Sequence, residues 1–407
     1  MKILHTADWH IGKKLHNYEL AEDFDLFVDW LCDCIAENQV DVLLVSGDIF
    51  DLANPSSAAR EQYYKKLVQI RQCVSHIILT GGNHDSPAVL NAPKELMKAF
   101  NLTVIGGLPE NIEEAVIPLK DANNEIKAVV AAIPFLRNPD VRRPGLIVRT
   151  YEERISAMRS GIEEVFKSFE KKCKELFPGI PALAMGHLFA AGVSTSESER
   201  DIQIGNQASV DSTIFGDYFK YVALGHIHKP QRVSAAQSVF YSGSPLALSF
   251  SEKEDEKRVL LIDLEKGWEP ESIAVPTFRK LIKIKGNLET IKHKLDTLPA
   301  HQGLKNLIEI EFIEEEYQTK HIHDLEELIN EFEHANYQIV KHRAQFLKSM
   351  HRASQIFEEH IDLDELDPEN VFEERLKLED FSTEEKQEIQ SAFQELLEEI
   401  YQQEIHI

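Results

Sequence analysis

The sequence is poor in cysteine, in long apolar runs and in positive charge. Its four cysteines (Cys32, Cys34, Cys73 and Cys173) contain no C-x-x-C pair. That argues against a disulfide-stapled scaffold and leaves a reduced, cytoplasmic protein as the expectation. No apolar run approaches the ~20 residues that a membrane-spanning helix needs. The start, Met1 to Asp8, turns polar too soon for a secretory signal. There is no phosphate-binding loop of the form G-x-x-x-x-G-K-[ST], so any ATP dependence has to come from a partner. Neither a G-x-S-x-G elbow nor a Cys–His nucleophile pattern is present. Basic residues number 44 against 69 acidic ones, a net charge of −25. Taken alone, that sits badly with a surface that grips phosphates.

The charge is unevenly spread. Residues 341–407 hold 7 basic and 18 acidic side chains, almost half of the negative excess. Two basic islands stand against this background. One is Arg137, Arg142, Arg143 and Arg149; the other is Arg279, Lys280, Lys283, Lys285, Lys292 and Lys294. With 407 residues and 43% hydrophobic content, the chain is long and apolar enough for two or three domains with a sizeable core.

The first 275 residues alternate strands and helices. Strands are expected at Lys2–Ala7, Val40–Ser46, His76–Thr80, 115–119, 127–133, 181–186, 221–224 and 258–264. Leu20, Phe24, Phe27, Val28, Leu31 and Ile35 recur at helical spacing over 19–38, and a second helix is expected from about Ser57 to Cys73. This is the pattern of a layered α/β domain. A boundary near Pro276 opens a small α+β domain over 276–340. Residues 341–407 turn helical and acidic, with a capping box at Ser382–Glu385 before the apolar stripe Ile389, Phe393, Leu396, Leu397 and Ile400.

Five expected strands of the first domain run into residues that ligate metals. They deliver Asp8 and His10; Asp48 and Asp51; Asn83, His84 and Asp85; His187; and His226 and His228. Open α/β sheets place their sites at the carboxyl ends of strands. A single histidine after a strand means little, but five such endings together argue for one site. The donors are oxygen and nitrogen without sulfur, which suits Mn²⁺, Fe²⁺ or Zn²⁺, with Mn²⁺ favoured by the carboxylates and the amide. Of these, the seven donors Asp8, His10, Asp48, Asn83, His187, His226 and His228 are too many for one ion. A two-metal site needs a bridging carboxylate, and the central Asp48 is the natural one. Such a site activates water for in-line phosphoryl displacement and needs no nucleophile from the enzyme.

In this order, D-x-H, G-D-x-x-D, G-N-H-D, G-H and G-H-x-H resemble the signature of the calcineurin-like metallophosphoesterases. The longer blocks LHTADWHIGK, VSGDIFD, GGNHDSP, IPFLR, GHLFAAGVSTSESERDIQIG, YVALGHIHKPQ and YSGSPLALSF, together with NVFEERL in the tail, resemble the SbcD family, the nuclease subunits of bacterial SbcCD complexes. The resemblance implies a β-sandwich flanked by helices (1–275), a capping domain that binds DNA (276–340) and a helical region that binds an SbcC-type coiled-coil ATPase (341–407). It implies one ion on Asp8, His10, Asp48 and His228, and a second on Asp48, Asn83, His187 and His226. His84 would assist the leaving oxygen, with Asp51 orienting it. It further implies a homodimer within a heterotetramer, acting on double-strand ends and hairpins as exonuclease and endonuclease in repair, recombination and replication, nucleoid-associated when on DNA. Lys283, Lys285, Lys292 and Lys294 are the candidate DNA contacts. Val371, Phe372, Leu376, Ile389, Phe393, Leu396, Leu397 and Ile400 are the candidate partner contacts. The helices after Ser57 and after Ser86 are candidates for the dimer contact. The alternative is a stand-alone metallophosphatase or small-molecule phosphodiesterase. The metal motifs do not separate these, but Leu52 and Ala53 stand where protein phosphatases continue with Arg-Gly.

Overall fold

Near-continuous apolar strands, buried on both faces, build the first domain as a sandwich. Two six-stranded sheets carry it in the computed structural model, which describes residues 1–142, 150–195, 199, 209–235, 237–316 and 318–347, with Phe372, Ile389, Gln390 and Phe393 beyond them. One sheet has the strand order Glu271–Ala274, Arg258–Asp263, Lys2–Thr6, Val42–Ser46, His76–Thr80, Leu102–Ile105. Its last four strands are parallel. The other has the order Gln231–Arg232, Val239–Tyr241, Phe219–Gly225, Ala182–His187, Ile126–Ala132, Val116–Lys120, with the middle four parallel. Both sheets therefore gather several strand carboxyl ends at one edge.

Alternate residues of each strand serve different layers. Ile3, Val42, Leu44 and Ile78 face the second sheet and pack with Val129, Ala131, Ala184 and Val222. Leu4, Leu43, Val45, Ile77 and Leu79 face the other way, onto Phe24, Phe27 and Leu31 of helix Ala21–Asn38 and Tyr63, Leu67 and Ile70 of helix Ser57–Cys73. Ser56 caps the latter helix, its Oγ accepting from Ala59 N at 3.2 Å. The second sheet is covered by helix Tyr151–Leu176 through Met158, Ile162, Phe166, Phe169 and Cys173. Thr150 and Glu153 close a reciprocal capping box at its start.

Past Pro276 come strands Leu281–Gly286, Asn306–Glu314 and Tyr337–Phe346, forming a three-stranded sheet in that order, and helices Leu288–Asp296 and Thr319–Glu331. By its contacts the chain divides into two units. The first is Met1–Ile284, Ile291–Ile310 and Leu328–His342; the second is Lys285–Thr290, Glu311–Glu327 and Arg343–Ile407. Within the first, Arg279 is not a surface cation. Its guanidinium makes a bidentate pair with Asp23 at 2.8 and 2.9 Å and lies over the Tyr18 ring. Within the second, the rings of Phe372 and Phe393 stack, their centroids 3.7 Å apart. The proposed contacts Val371, Leu376, Leu396, Leu397 and Ile400, the Ser382–Glu385 capping box, and Arg143 and Arg149 lie outside the described residues. No disulfide joins the four cysteines. Among the described residues no helix is long and apolar enough to cross a membrane.

Candidate metal centre and catalytic site

Main-chain bonds join the strand ends of the first sheet, and side chains join them to the second. Asp8 N donates to Gly47 O at 3.1 Å, His10 N to Asp48 O at 3.0 Å, and His226 N to the Asp8 carboxylate at 2.9 Å. His187 Nδ1 lies 3.0 Å from Ser46 O and donates to it, which fixes the imidazole tautomer. Asp8, His10 and Asp48 have φ of 54°, 46° and 49°, and His226 has 102°. Four non-glycine residues held there at one site cost strain that the surrounding bonds must offset. Gly47 (φ 83°) supplies the same conformation without a side chain; a Cβ there would fall 2.1 Å from His187 Nδ1. At Gly82 a Cβ would meet Asp48 Oδ1 at 2.1 Å, so the G-N-H turn can approach the central carboxylate only as glycine.

The donors converge as two trios. Asp8, His10 and His228 form one, and Asp48, His187 and His226 the other; within each trio the ligand atoms lie within 4.8 Å of one another. All six residues are buried. His10 Nε2 and His228 Nε2 face each other at 3.2 Å. Asp48 Oδ2 lies 3.4 Å from His187 Nε2 and 3.6 Å from His10 Nε2, between the trios. Asn83 Oδ1 joins the second at 2.8 Å from His187 Nε2. His84 Nε2 is further from Asp48 Oδ2, at 4.0 Å, and grouping it with His10 and Asp48 gives a third cluster of possible ligands.

The residues fit divalent ions. Buried Asp8 Oδ2 and His226 Nε2 have no hydrogen-bond partner, a costly state unless a cation takes their lone pairs. Burial pushes the Asp8 carboxyl up to about 7. Burial also works on Asp48, but the imidazoles of His187, His10 and His84 outweigh it and hold this carboxyl well below its usual range. His187 loses ground to burial yet rises to about 9 because Asp48 and Asp8 face it. Burial lowers His10 to about 4 and takes His226 well below its ordinary value. Metal ligands must be deprotonated, and cations among these side chains would favour that state in all of them.

Asp51 is oriented differently from the expectation. Its carboxylate takes His10 Nδ1 at 3.2 Å and Lys13 Nζ at 3.1 Å, while its main-chain carbonyl accepts from His84 Nδ1 at 2.7 Å. The side chain therefore backs a candidate ligand, and His84 is held by the backbone. Sequence reasoning missed the role of Asp85. This buried carboxylate accepts from Ile49 N, Phe50 N and Gly82 N at 3.0, 2.9 and 2.8 Å, tying the Asp48 and Asn83 loops together. Its position directly after G-N-H was the available signal. Phe135 and Arg137 of the IPFLR block also stand here. Phe135 sets its ring edge-on to His187, and Arg137 lies over Phe135 and donates to Asp85 O at 2.7 Å.

The candidate DNA contacts are not equivalent. Lys283 pairs with Glu309 at 3.1 Å and Lys285 with Glu311 at 3.6 Å. Both carboxylates are buried; Lys341 also pairs with Glu309, and Arg343 with Glu311. Lys292 and Lys294 are exposed on helix Leu288–Asp296. Three histidines outside the motifs have other partners: His16 stacks on Phe250, His76 binds Thr103, and His321 binds Glu314.

Comparisons with known proteins give the chain's family. The family model of the calcineurin-like phosphoesterases matches residues 1–230, more than half of the chain, and the chain belongs to that family. The model described as the type 5 capsule protein repressor C-terminal domain matches residues 277–380. The D subunit of nuclease SbcCD from Escherichia coli K12 is 31% identical over 97% of both chains. The Rhodobacter capsulatus protein of the same name is 35% identical over 68% of this chain and 69% of its own. That of Bacillus subtilis is 30% identical over 70% and 72%. Within the phosphoesterases the chain is thus a member of the SbcD family.

Proposed function

We propose that the chain is a metal-dependent DNA nuclease that hydrolyses phosphodiester bonds at double-strand ends and hairpins. One observation carries this: five strand ends bring together two buried trios, Asp8, His10 and His228 and Asp48, His187 and His226, with Asn83 beside the second. Asp8, His10, Asp48 and His228 would hold one ion; Asp48, Asn83, His187 and His226 would hold the other. Mn²⁺ suits these donors. Two such ions would supply a nucleophile at neutral pH and neutralise charge on the scissile phosphate. The chain's own residues do the rest. Asp48 stands between the trios as the bridge. The Asp51 carbonyl keeps a proton on His84 Nδ1 and turns Nε2 towards the site. When water, having lost a proton to solvent, adds to phosphorus as hydroxide and the P–O bond breaks, His84, protonated on both ring nitrogens, gives its Nε2 proton to the leaving oxygen and keeps the one on Nδ1. The Asp51 carboxylate orients His10.

The chain carries no ATPase loop, and its relatives are named as one subunit of SbcCD, which supports a coiled-coil ATPase of the SbcC type as partner. Residues 341–407 are the proposed docking region and 276–340 a capping domain on DNA. Tyr64, Val68, Leu96 and Phe100 are exposed apolar side chains on the two helical segments proposed for the homodimer contact. A cytoplasmic, nucleoid-associated location follows from that substrate. The test is manganese-dependent cutting of blunt and hairpin duplexes beside hydrolysis of a phosphopeptide, each with wild type and Asp48→Ala. Cutting of DNA that Asp48→Ala abolishes supports the proposal; turnover of the phosphopeptide alone refutes it.

A further inference from the structure

The candidate ligand histidines differ in what stands behind them. His187 donates to a main-chain carbonyl, and His10 is backed by Asp51. His228 is backed by Glu252, which lies 24 residues downstream in a short 3₁₀ turn and belongs to none of the metal motifs. Glu252 is fully buried. Its Oε1 lies 3.4 Å from His228 Nδ1. Its Oε2 lies 2.5 Å from Lys257 Nζ and accepts from Leu248 N at 3.2 Å. Lys257, itself buried, also donates to the His228 main-chain carbonyl at 3.2 Å and to Ser244 Oγ at 2.9 Å.

A buried carboxylate–ammonium pair is a poor source of stability, because desolvating both charges offsets their attraction. This pair grips one residue twice, at its ring and at its backbone. We infer that Glu252, held by Lys257, is the positioning residue for His228. It keeps the proton on Nδ1, presents Nε2 towards Asp8 and His10, and so sets the affinity of one of the two ions. A carboxylate behind a ligating imidazole fixes its tautomer and raises its basicity, and losing it typically costs metal affinity ~10–100-fold. The inference rests on the two-metal reading.

The experiment is calorimetric titration of Mn²⁺ into the metal-stripped full-length chain, using wild type, Glu252→Gln and the double variant Glu252→Gln/Lys257→Met. Wild type should take up two ions. Glu252→Gln should weaken one binding phase by ~10–100-fold and leave the other unchanged. The double variant removes both buried charges together, so the fold is relieved of an unpaired ammonium while the imidazole still lacks its carboxylate. It should melt close to wild type and keep the weakened phase. Wild-type affinity for both ions in the double variant would make the pair purely structural and overturn the inference alone. Uptake of fewer than two ions by wild type would overturn the two-metal reading, and the inference with it.

Discussion

Replacing His84 by glutamine separates a proton donor from a metal ligand. The geometry favours the donor. Two ligands on one ion at ~2.1 Å in an octahedral shell sit ~3.0 Å apart when adjacent and ~4.2 Å when opposed. His187 and His10 lie 3.4 and 3.6 Å from Asp48 Oδ2, nearer the adjacent spacing, whereas His84 at 4.0 Å lies near the outer limit and has its Nδ1 turned to the Asp51 carbonyl. His84→Gln should therefore keep both ions and lose a general acid, a factor of ~10²–10⁴ in rate. At ~1.36 kcal/mol per decade this is ~2.7–5.4 kcal/mol of transition-state stabilisation. Single-turnover cleavage of an end-labelled duplex at saturating Mn²⁺, with metal content measured by mass spectrometry on the same samples, reads both quantities. A variant that loses an ion in proportion to its loss of rate would refute the reasoning and make His84 a ligand.

Asp51→Ala deletes the carboxylate behind His10 but keeps the carbonyl that holds His84. It should raise the Mn²⁺ concentration needed for half-maximal activity ~10–100-fold, with turnover at saturation close to normal; a turnover defect that metal does not rescue would put the side chain on His84 after all. Asp23→Ala strands the buried Arg279 guanidinium and should cost ~3–5 kcal/mol in urea unfolding, with the metal-site affinities intact. A loss within experimental error would show that the pair is not holding this segment. Neutralising the exposed Lys292 and Lys294 should flatten the log–log salt dependence of DNA affinity by ~0.9 for each phosphate that the helix no longer neutralises; an unchanged slope would remove this helix from the DNA surface.

The convergence of the candidate ligands was legible because strand–turn chemistry is local. His76–Thr80 and Ser57–Cys73 form where the apolar pattern puts them, and Asp8, His10, Asp48, Asn83, His187, His226 and His228 all arrive at one edge. What was not legible depends on direction and on register. The spacing of Asp51 from Asp48 brings it near the site but does not say whether its carboxylate or its carbonyl reaches His84. Lys283 and Lys285 share a strand face by their spacing, yet Glu309 and Glu311 come from a different strand, and only pairing brings them there. Glu252 is joined to His228 by folding alone. The 26-residue helix Tyr151–Leu176 was legible too, though missed: Met158, Ile162, Phe166, Phe169 and Cys173 recur at helical spacing behind the Thr150–Glu153 capping box. Arg279 read as one cation of a basic island because nothing near it in sequence announces Asp23, 256 residues away.

The two-metal site is tested most directly by anomalous diffraction at the manganese edge from crystals soaked in Mn²⁺. Two peaks ~3.5–4 Å apart are expected on either side of Asp48, one among Asp8, His10 and His228 and the other among Asn83, His187 and His226. A single peak, or none between these residues, would contradict the account.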